Sequence, residues 1–313
     1  MKAIVLNKVG NSEALHIAEL PSPNILPTEV LIKVKAISIN PADTKLRSGG
    51  YFRELDLSSA VILGWDVSGE VVSVGNEVKN LKVGDGVFGM IGFPDLGKTY
   101  AEYVSAPANE LAVKPKNVSF EQAAVSTLAA LTAYQTIIVK GSIKPNDRVL
   151  IHAAAGGVGH FAVQMAKSLG AYVIGTASPA NRDFVLGLGA DEYVDYKGNN
   201  LEEKIKEVDF VLDTLGADNI LRSLPLIKNE GKLITILHGI DDNITEKANS
   251  KNIDVSFHLV EPNNAHINAI AGLLQNKTVK PHISHNFSFE QMPDAHKQQE
   301  TGRTVGKIAI SVQ

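Results

Sequence analysis

The sequence predicts an α/β protein: a doubly wound parallel sheet, accompanied by a β-rich domain that is discontinuous in the chain. Three observations predict it. From Val149 onward, short apolar runs alternate with helical patterns on the scale of strands joined by crossover helices. At the first crossover stands a glycine turn, Ala154-Ala155-Gly156-Gly157-Val158-Gly159. Residues 1–118 read instead as short strands broken by glycine, proline and Asn/Asp turns, the texture of an irregular β domain.

Taken in order, strands are expected at 3–6, 29–37, 68–74, 86–88 and 101–104. Between the second and third, residues 38–51 are polar and turn-rich and read as a loop able to line a pocket. Ser119 followed by Gln122 is a capping-box signature, and Ala123, Ala124, Leu128, Ala130 and Leu131 begin a helical region. The run Val149, Leu150, Ile151 is the first strand of the parallel sheet. Beyond the glycine turn, Val158, Ala162, Met165, Ala166 and Leu169 recur at helical spacing, and Gly170 stands where a left-handed cap is expected. Strands then follow at 171–176, 192–195, 210–213 and 232–237, with helices near 182–188, 201 and 218–226. A helix at about 266–274 and a strand at 307–311 complete the pattern, and this last segment is expected to return to the first domain. The domains are therefore 1–118 with 260–313, and 119–259, in keeping with about 150 residues per domain.

The glycine turn carries the chemistry. With no Cβ at Gly156 and Gly157, a pyrophosphate can lie against the backbone while the free N–H groups of the following helix point at it, and Gly159 lets that helix pack on the strand. Ala154 occupies the place of the first glycine in the usual G-x-G-x-x-G, so the flanking strands and helix, rather than the turn alone, make the fingerprint.

Composition removes other chemistries. The chain has no cysteine, which excludes disulfides, thiol nucleophiles and cysteine-held zinc or iron–sulfur clusters. A net charge of −4 gives no electrostatic reason to expect nucleic acid or an anionic membrane as partner. No window approaches the roughly 18 apolar residues of a membrane span, and MKAIVLNKVG reads as a first strand rather than a signal peptide, so a cytoplasmic protein is expected. His282 and His285 fall in an extended segment where positions three apart point to opposite faces, which disfavours a metal pair. His152 and His160, flanking the turn, read as packing or surface residues.

Several motifs in order resemble the medium-chain dehydrogenase/reductase superfamily and, within it, the zinc-free, zeta-crystallin-like quinone oxidoreductases. They are Asn40-Pro41-Ala42-Asp43 with Arg47-Ser48-Gly49, Gly64 to Val71 leading to Val74-Gly75, Val83-Gly84-Asp85, and the run from Leu131-Thr132-Ala133-Tyr134 to Gly159. The resemblance spans the chain and implies a GroES-like substrate domain, a Rossmann domain, a cleft between them and a homodimer. The dimer is expected at the edge of the parallel sheet, with strand 232–237 as that edge. Zinc-dependent relatives hold their metal with cysteine and histidine from the places where this chain has Asn40-Pro41 and Trp65-Asp66. An electron-poor quinone or conjugated enone needs no metal to polarise a lone carbonyl.

The cofactor expected is NADPH. Readers of NADH place an acid at the end of the second strand, which would repel a 2′-phosphate. Here Ala177 to Arg182 contain no acid; Ser178 offers a hydroxyl and Arg182 a planar cation. By resemblance, Arg182 and Tyr196 fall where these reductases put a basic and a tyrosine phosphate ligand, Ala155 to Gly159 hold the pyrophosphate, and Thr127 and the loop after Leu237 border the nicotinamide. Arg303 and Lys307 are weaker phosphate candidates. For the substrate, Asn40 could hydrogen-bond the developing oxyanion and Tyr51 could donate a proton or wall the pocket. Asp43 belongs to the same stretch, where bonding to its own backbone is the plainer role, and Lys45 reads as solvated in a place that often holds tyrosine in the family. Two other functions stay open: an alcohol or aldehyde reductase without zinc, and an NADPH-responsive binding protein.

Overall fold

The computed structural model describes residues 1–50, 55–197 and 201–312. By internal packing these form two units: Met1–Leu131 with Glu261–Lys277 and Pro281–Gln313, and Thr132–Val260 with Thr278–Lys280.

The first unit begins with β1 (Lys2–Leu6), β2 (Leu15–Glu19), β3 (Glu29–Ile39), α1 (Pro41–Ser48), β4 (Val61–Ile62), β5 (Asp66–Val74), β6 (Gly86–Met90), β7 (Tyr103–Pro107), β8 (Leu111–Val113) and α2 (Phe120–Ala124). The strand β3 organises it. Val30, Ile32, Val34 and Ala36 alternate inward, and from Ile37 to Ile39 every residue is buried, so its second half must be covered on both faces. Residues 38–51 had the composition of a loop, yet α1 lies within them. Pro41 takes the first helical turn, where its missing N–H is no loss, the Asp43 carboxylate accepts from the Asn40 backbone N–H at 2.8 Å, and Gly49 at φ +81° closes the end. Ser119 and Gln122 form the expected capping box of α2.

The second unit runs through α3 (Leu128–Ala133), which starts before the division, then β9 (Arg148–Ile151), α4 (Gly157–Ser168), β10 (Tyr172–Ala177), α5 (Arg182–Gly187), β11 (Glu192–Asp195), α6 (Leu201–Lys204), β12 (Val208–Asp213), α7 (Ala217–Ser223), β13 (Ile227–Thr235), α8 (Asp242–Asn249) and β14 (Asp254–Phe257). Its six strands pair in the order β11-β10-β9-β12-β13-β14, all parallel. Numbered within the sheet this is 3-2-1-4-5-6, the Rossmann order, with the chain reversing direction beside β9, the strand that enters the glycine turn. The strand expected at 232–237 is β13, and it is not the edge: β14 pairs outside it, Leu233 with Val255 and Thr235 with Phe257. Four residues with only two apolar ones are too short a pattern to read from sequence.

The chain then returns to the first unit through α9 (Asn264–Gln275), β15 (Ile283–Ser288), α10 (Met292–Glu300) and β16 (Lys307–Ser311). The seven-stranded sheet runs β15-β16-β3-β5-β6-β8, with β7 also on β3. β16 covers the second half of β3, Ile308 opposite Ile39, while Ser38 faces Asp66 on the other side. The ends of β16, β3 and β5 therefore converge at one place. Among the described residues no helix is long and apolar enough to cross a membrane.

Candidate active site

In the second unit, β9 runs into the turn 152–156 and α4 begins at Gly157 with no side-chain cap from Gly156. The helix's own bonding starts with His160 N–H to Gly156 C=O, so the N–H groups of residues 157–159 have no helical acceptor. A Cβ at position 159 would stand 2.2 Å from the Ala153 carbonyl oxygen and 2.8 Å from the Ala154 Cα, so only glycine lets α4 sit this close to the turn. At position 156 the nearest atom to a Cβ is 3.2 Å away, and the bare backbone presents itself outward. Uncapped donors beside bare backbone fit a pyrophosphate.

A buried polar network holds this turn from behind. The Ser223 hydroxyl donates to Asn219 C=O at 2.7 Å, so its oxygen accepts His152 Nε2–H at 2.9 Å, and Nδ1 is left to accept from the Thr176 hydroxyl at 3.1 Å. Burial pushes His152 down to about 4, against the opposing pull of Asp213, so it is a neutral strut. Asp213 accepts from Asn219, Gly216 N–H and Thr235 at 2.7–2.9 Å. His160 Nδ1 meets the Gly156 carbonyl at 2.9 Å. Both histidines are buried, which fits packing and not surface exposure.

The ends of β10 and β11 bring Ser178 and Tyr196 together, because Ala177 pairs with Asp195 and each residue is the next one on. Arg182 opens α5 in the exposed space beside them. Its guanidinium bonds Asp183 at 2.9 Å, an acid one residue past the stretch that lacks one. Both side chains are largely exposed, so this ion pair is weak and exchangeable. Tyr193 donates to Ala177 C=O at 3.2 Å and ties the two strand ends. Leu237 is half-buried in the loop after β13, with its N–H on the Thr235 hydroxyl.

In the first unit, Asn40 is 2% exposed, at the convergence of β16, β3 and β5. Its Nδ2 donates to Asp66 Oδ2 at 2.8 Å, and its Oδ1 accepts from the Lys307 ammonium. Lys307 also donates to Ile39 C=O at 2.9 Å and lies 3.5 Å from Asp66 Oδ2. The other Asp66 oxygen accepts from Leu128 N–H at 3.0 Å. Burial lowers the Lys307 ammonium, and Asp66 and Asp43 oppose that shift. Asp43 is itself buried with Oδ1 unpaired; burial raises its carboxyl to about 7, the Asn40 N–H opposes, and Asp66 adds to the rise. Tyr100, fully buried nearby, bonds His296 Nε2 at 3.0 Å. Burial first, then Asp43 and Asp66, hold its hydroxyl well above the ordinary range.

Asn40 and Asp43 are thus brought together, while Tyr51 lies outside the described residues. Thr127 is buried and spends its hydroxyl proton on Ala124 C=O at 2.7 Å. Lys45 and Arg303 are exposed. Lys307 is not placed for a phosphate, since its ammonium is buried and bonded within this unit. The sequence reading missed Asp66, Lys307, Tyr100 and His296 as one cluster. A signal existed: a lysine opening the apolar strand Lys307–Ser311 has to find an acceptor or a carboxylate when that strand is buried. Among the described residues no group of three His, Asp or Glu stands where it could hold a metal ion.

Known proteins match this chain along most of its length. A profile described as "Alcohol dehydrogenase GroES-like domain" matches residues 26–116, and one described as "Zinc-binding dehydrogenase" matches 188–310. The quinone oxidoreductase of Coxiella burnetii superposes with a TM-score of 0.94 at 36% identity, over 100% of this chain and 99% of that one. The Escherichia coli quinone oxidoreductase, solved with NADPH, superposes with a TM-score of 0.89 at 30% identity, over 99% and 100%. The chloroplastic NADPH-dependent alkenal/one oxidoreductase of Arabidopsis thaliana is 31% identical over 99% of this chain and 79% of its own length. Related at 30% identity or more over nearly its whole length to such enzymes, and with no cysteine to hold zinc, the chain belongs to the zinc-independent quinone and enone oxidoreductases, the zeta-crystallin-like branch of the medium-chain dehydrogenase/reductase superfamily.

Proposed function

We propose that the protein transfers a hydride from NADPH to a quinone or an α,β-unsaturated carbonyl compound. The observation that carries this is the uncapped glycine turn next to an acid-free strand end, where Ser178 and Tyr196 stand side by side with Arg182 following. Bound NADPH supplies the hydride; the chain's task is to hold the cofactor and steady the oxygen that becomes negative. Ala155, Gly156, Gly157, Val158 and Gly159 would hold the pyrophosphate, and Ser178, Arg182 and Tyr196 the 2′-phosphate. Thr127 and Leu237 would border the nicotinamide. Asn40 would donate its second Nδ2 hydrogen to the substrate oxygen, with Tyr51 as proton donor or pocket wall and Asp43 fixing the helix end that carries Asn40. In this reading residues 1–118 and 260–313 serve the substrate and 119–259 the dinucleotide.

Two measurements test it. Purified protein should oxidise NADPH with trans-2-hexenal or a quinone and much more slowly with an unconjugated aldehyde; equal rates would favour the alcohol or aldehyde reductase. Arg182→Ala should raise KM for NADPH about tenfold or more and leave that for NADH unchanged, since a charge-assisted hydrogen bond is worth about 1.5–3 kcal/mol. An unchanged ratio removes Arg182 from the phosphate site. We also propose a cytoplasmic homodimer that binds no nucleic acid, paired through the edge strand β14 with its half-buried Val255 and Phe257. Light scattering would show a mass of two chains; a mass of one chain would overturn the dimer.

A further inference from the structure

We infer that Lys307 is a positioning residue for hydride transfer, acting through Asn40: its ammonium holds the carboxamide so that an N–H, and not the carbonyl, is offered to the substrate oxygen. The inference rests on the reading of Asn40 given above.

An asparagine amide has two ends of nearly equal shape and opposite hydrogen-bonding sense, so its neighbours must decide which way it points. Here they leave one answer. An ammonium can only donate, and it lies on Oδ1; a carboxylate can only accept, and it lies 2.8 Å from Nδ2. Reversal would set N–H against the Lys307 cation and the carbonyl against the Asp66 anion. The partners themselves cannot drift. Lys307 is 3% exposed and anchored to Ile39 C=O at 2.9 Å, and Asp66 is buried and anchored to Leu128 N–H at 3.0 Å. Strand register delivers all three groups to one place, since Ile308 faces Ile39 and Ser38 faces Asp66.

Fixing the amide has a chemical result. The cation on Oδ1 draws density from the carboxamide and strengthens Nδ2–H as a donor. Nδ2 carries two hydrogens, and among the described residues only one is claimed, by Asp66. An aliphatic cation thus does, from behind an amide, part of what a metal does by direct contact.

The experiment is steady-state kinetics with NADPH, NADH and trans-2-hexenal on Lys307→Met, Asn40→Ala and the double variant. Lys307→Met should lower kcat about tenfold or more and leave the KM ratio of NADPH to NADH unchanged, because its bonds are made to Ile39, Asn40 and Asp66. In the Asn40→Ala background the same change should cost nothing further, because the group it orients is gone. Should Lys307→Met fail to fold with Asp66 unbalanced, Lys307→Met with Asp66→Asn restores neutrality and should show the same fall in kcat. Full kcat in a folded Lys307 variant, an additive loss on top of Asn40→Ala, or a selective rise in KM for NADPH overturns the inference. If Asn40→Ala itself keeps full kcat, the reading of Asn40 fails and takes the inference with it; a slow Asn40→Ala beside an unimpaired Lys307→Met overturns the inference alone.

Discussion

Replacing Gly159 with alanine is expected to destabilise the protein by about 1–3 kcal/mol and to weaken NADPH binding, whereas Gly156→Ala should weaken NADPH binding with a smaller loss of stability. The two glycines lie three residues apart in one turn, but their surroundings differ. A methyl group at 159 would meet the Ala153 carbonyl oxygen at 2.2 Å, its carbon at 2.9 Å and the Ala154 Cα at 2.8 Å. All three are backbone atoms, so relief requires α4 to move off β9, and with it the N–H groups of its first turn. At Gly156 the backbone is extended, at φ −82° and ψ −176°, a conformation open to any residue, and the nearest atom is 3.2 Å from a Cβ. A methyl at 156 asks the Ala153 carbonyl to give by a few tenths of an ångström, a smaller shift than at 159, while a pyrophosphate seated as proposed would meet it directly. Thermal melts and fluorescence titration with NADPH separate the two effects. A Gly159→Ala protein melting with the wild type would show that the turn yields and that close packing is not the reason for glycine there.

The second large effect is in pH. Asp43 is held at about 7 against 3.8 for an ordinary aspartate, chiefly by burial. A carboxyl raised on folding favours the protonated folded state. Its contribution is complete below 3.8 and is lost as pH rises to about 7, on the order of a few kcal/mol. Other carboxylates titrate in the same range, so the comparison is with Asp43→Asn, which keeps an oxygen to accept from the Asn40 N–H and cannot ionise. The difference in melting temperature, variant minus wild type, should grow between pH 4 and pH 7 and then level off. A flat difference would mean that Asp43 stays ionised throughout, with Lys307 compensating it as well as Asp66.

Most of the parallel sheet was legible in the chain because its signals are local: β9 at Arg148–Ile151 and β11 at Glu192–Asp195 lie where apolar runs and turn residues place them, and so, in the other sheet, does β16 at Lys307–Ser311. The glycine turn is equally local. What escaped depends on partners far away in sequence. Asn40 and Asp43 read as loop residues because Asn-Pro and Asp are turn-formers, and only the cover supplied by β16 makes a helix start there worth burying. Lys307 read only as a weaker phosphate candidate because charges beside a terminal strand are usually solvated; its carboxylate, Asp66, is on a strand reached through β3. The edge strand β14 was hidden for another reason, since four residues hold too few periods to separate strand from loop.

The insertion of β16 beside β3 has a kinetic side. The bond from Lys307 to Ile39 joins positions 268 residues apart, and a flexible loop of that length closes slowly and at an entropic penalty that grows with the logarithm of its length. Residues 132–260, which pack among themselves, shorten that loop once they have folded. Until it closes, β3 presents an unpaired edge and Asp66 waits without its counterion. Residues 132–260 are therefore also a folding aid for the sheet on either side of them in the chain, and anything that slows their own collapse lengthens the time for which that edge stands open to other chains.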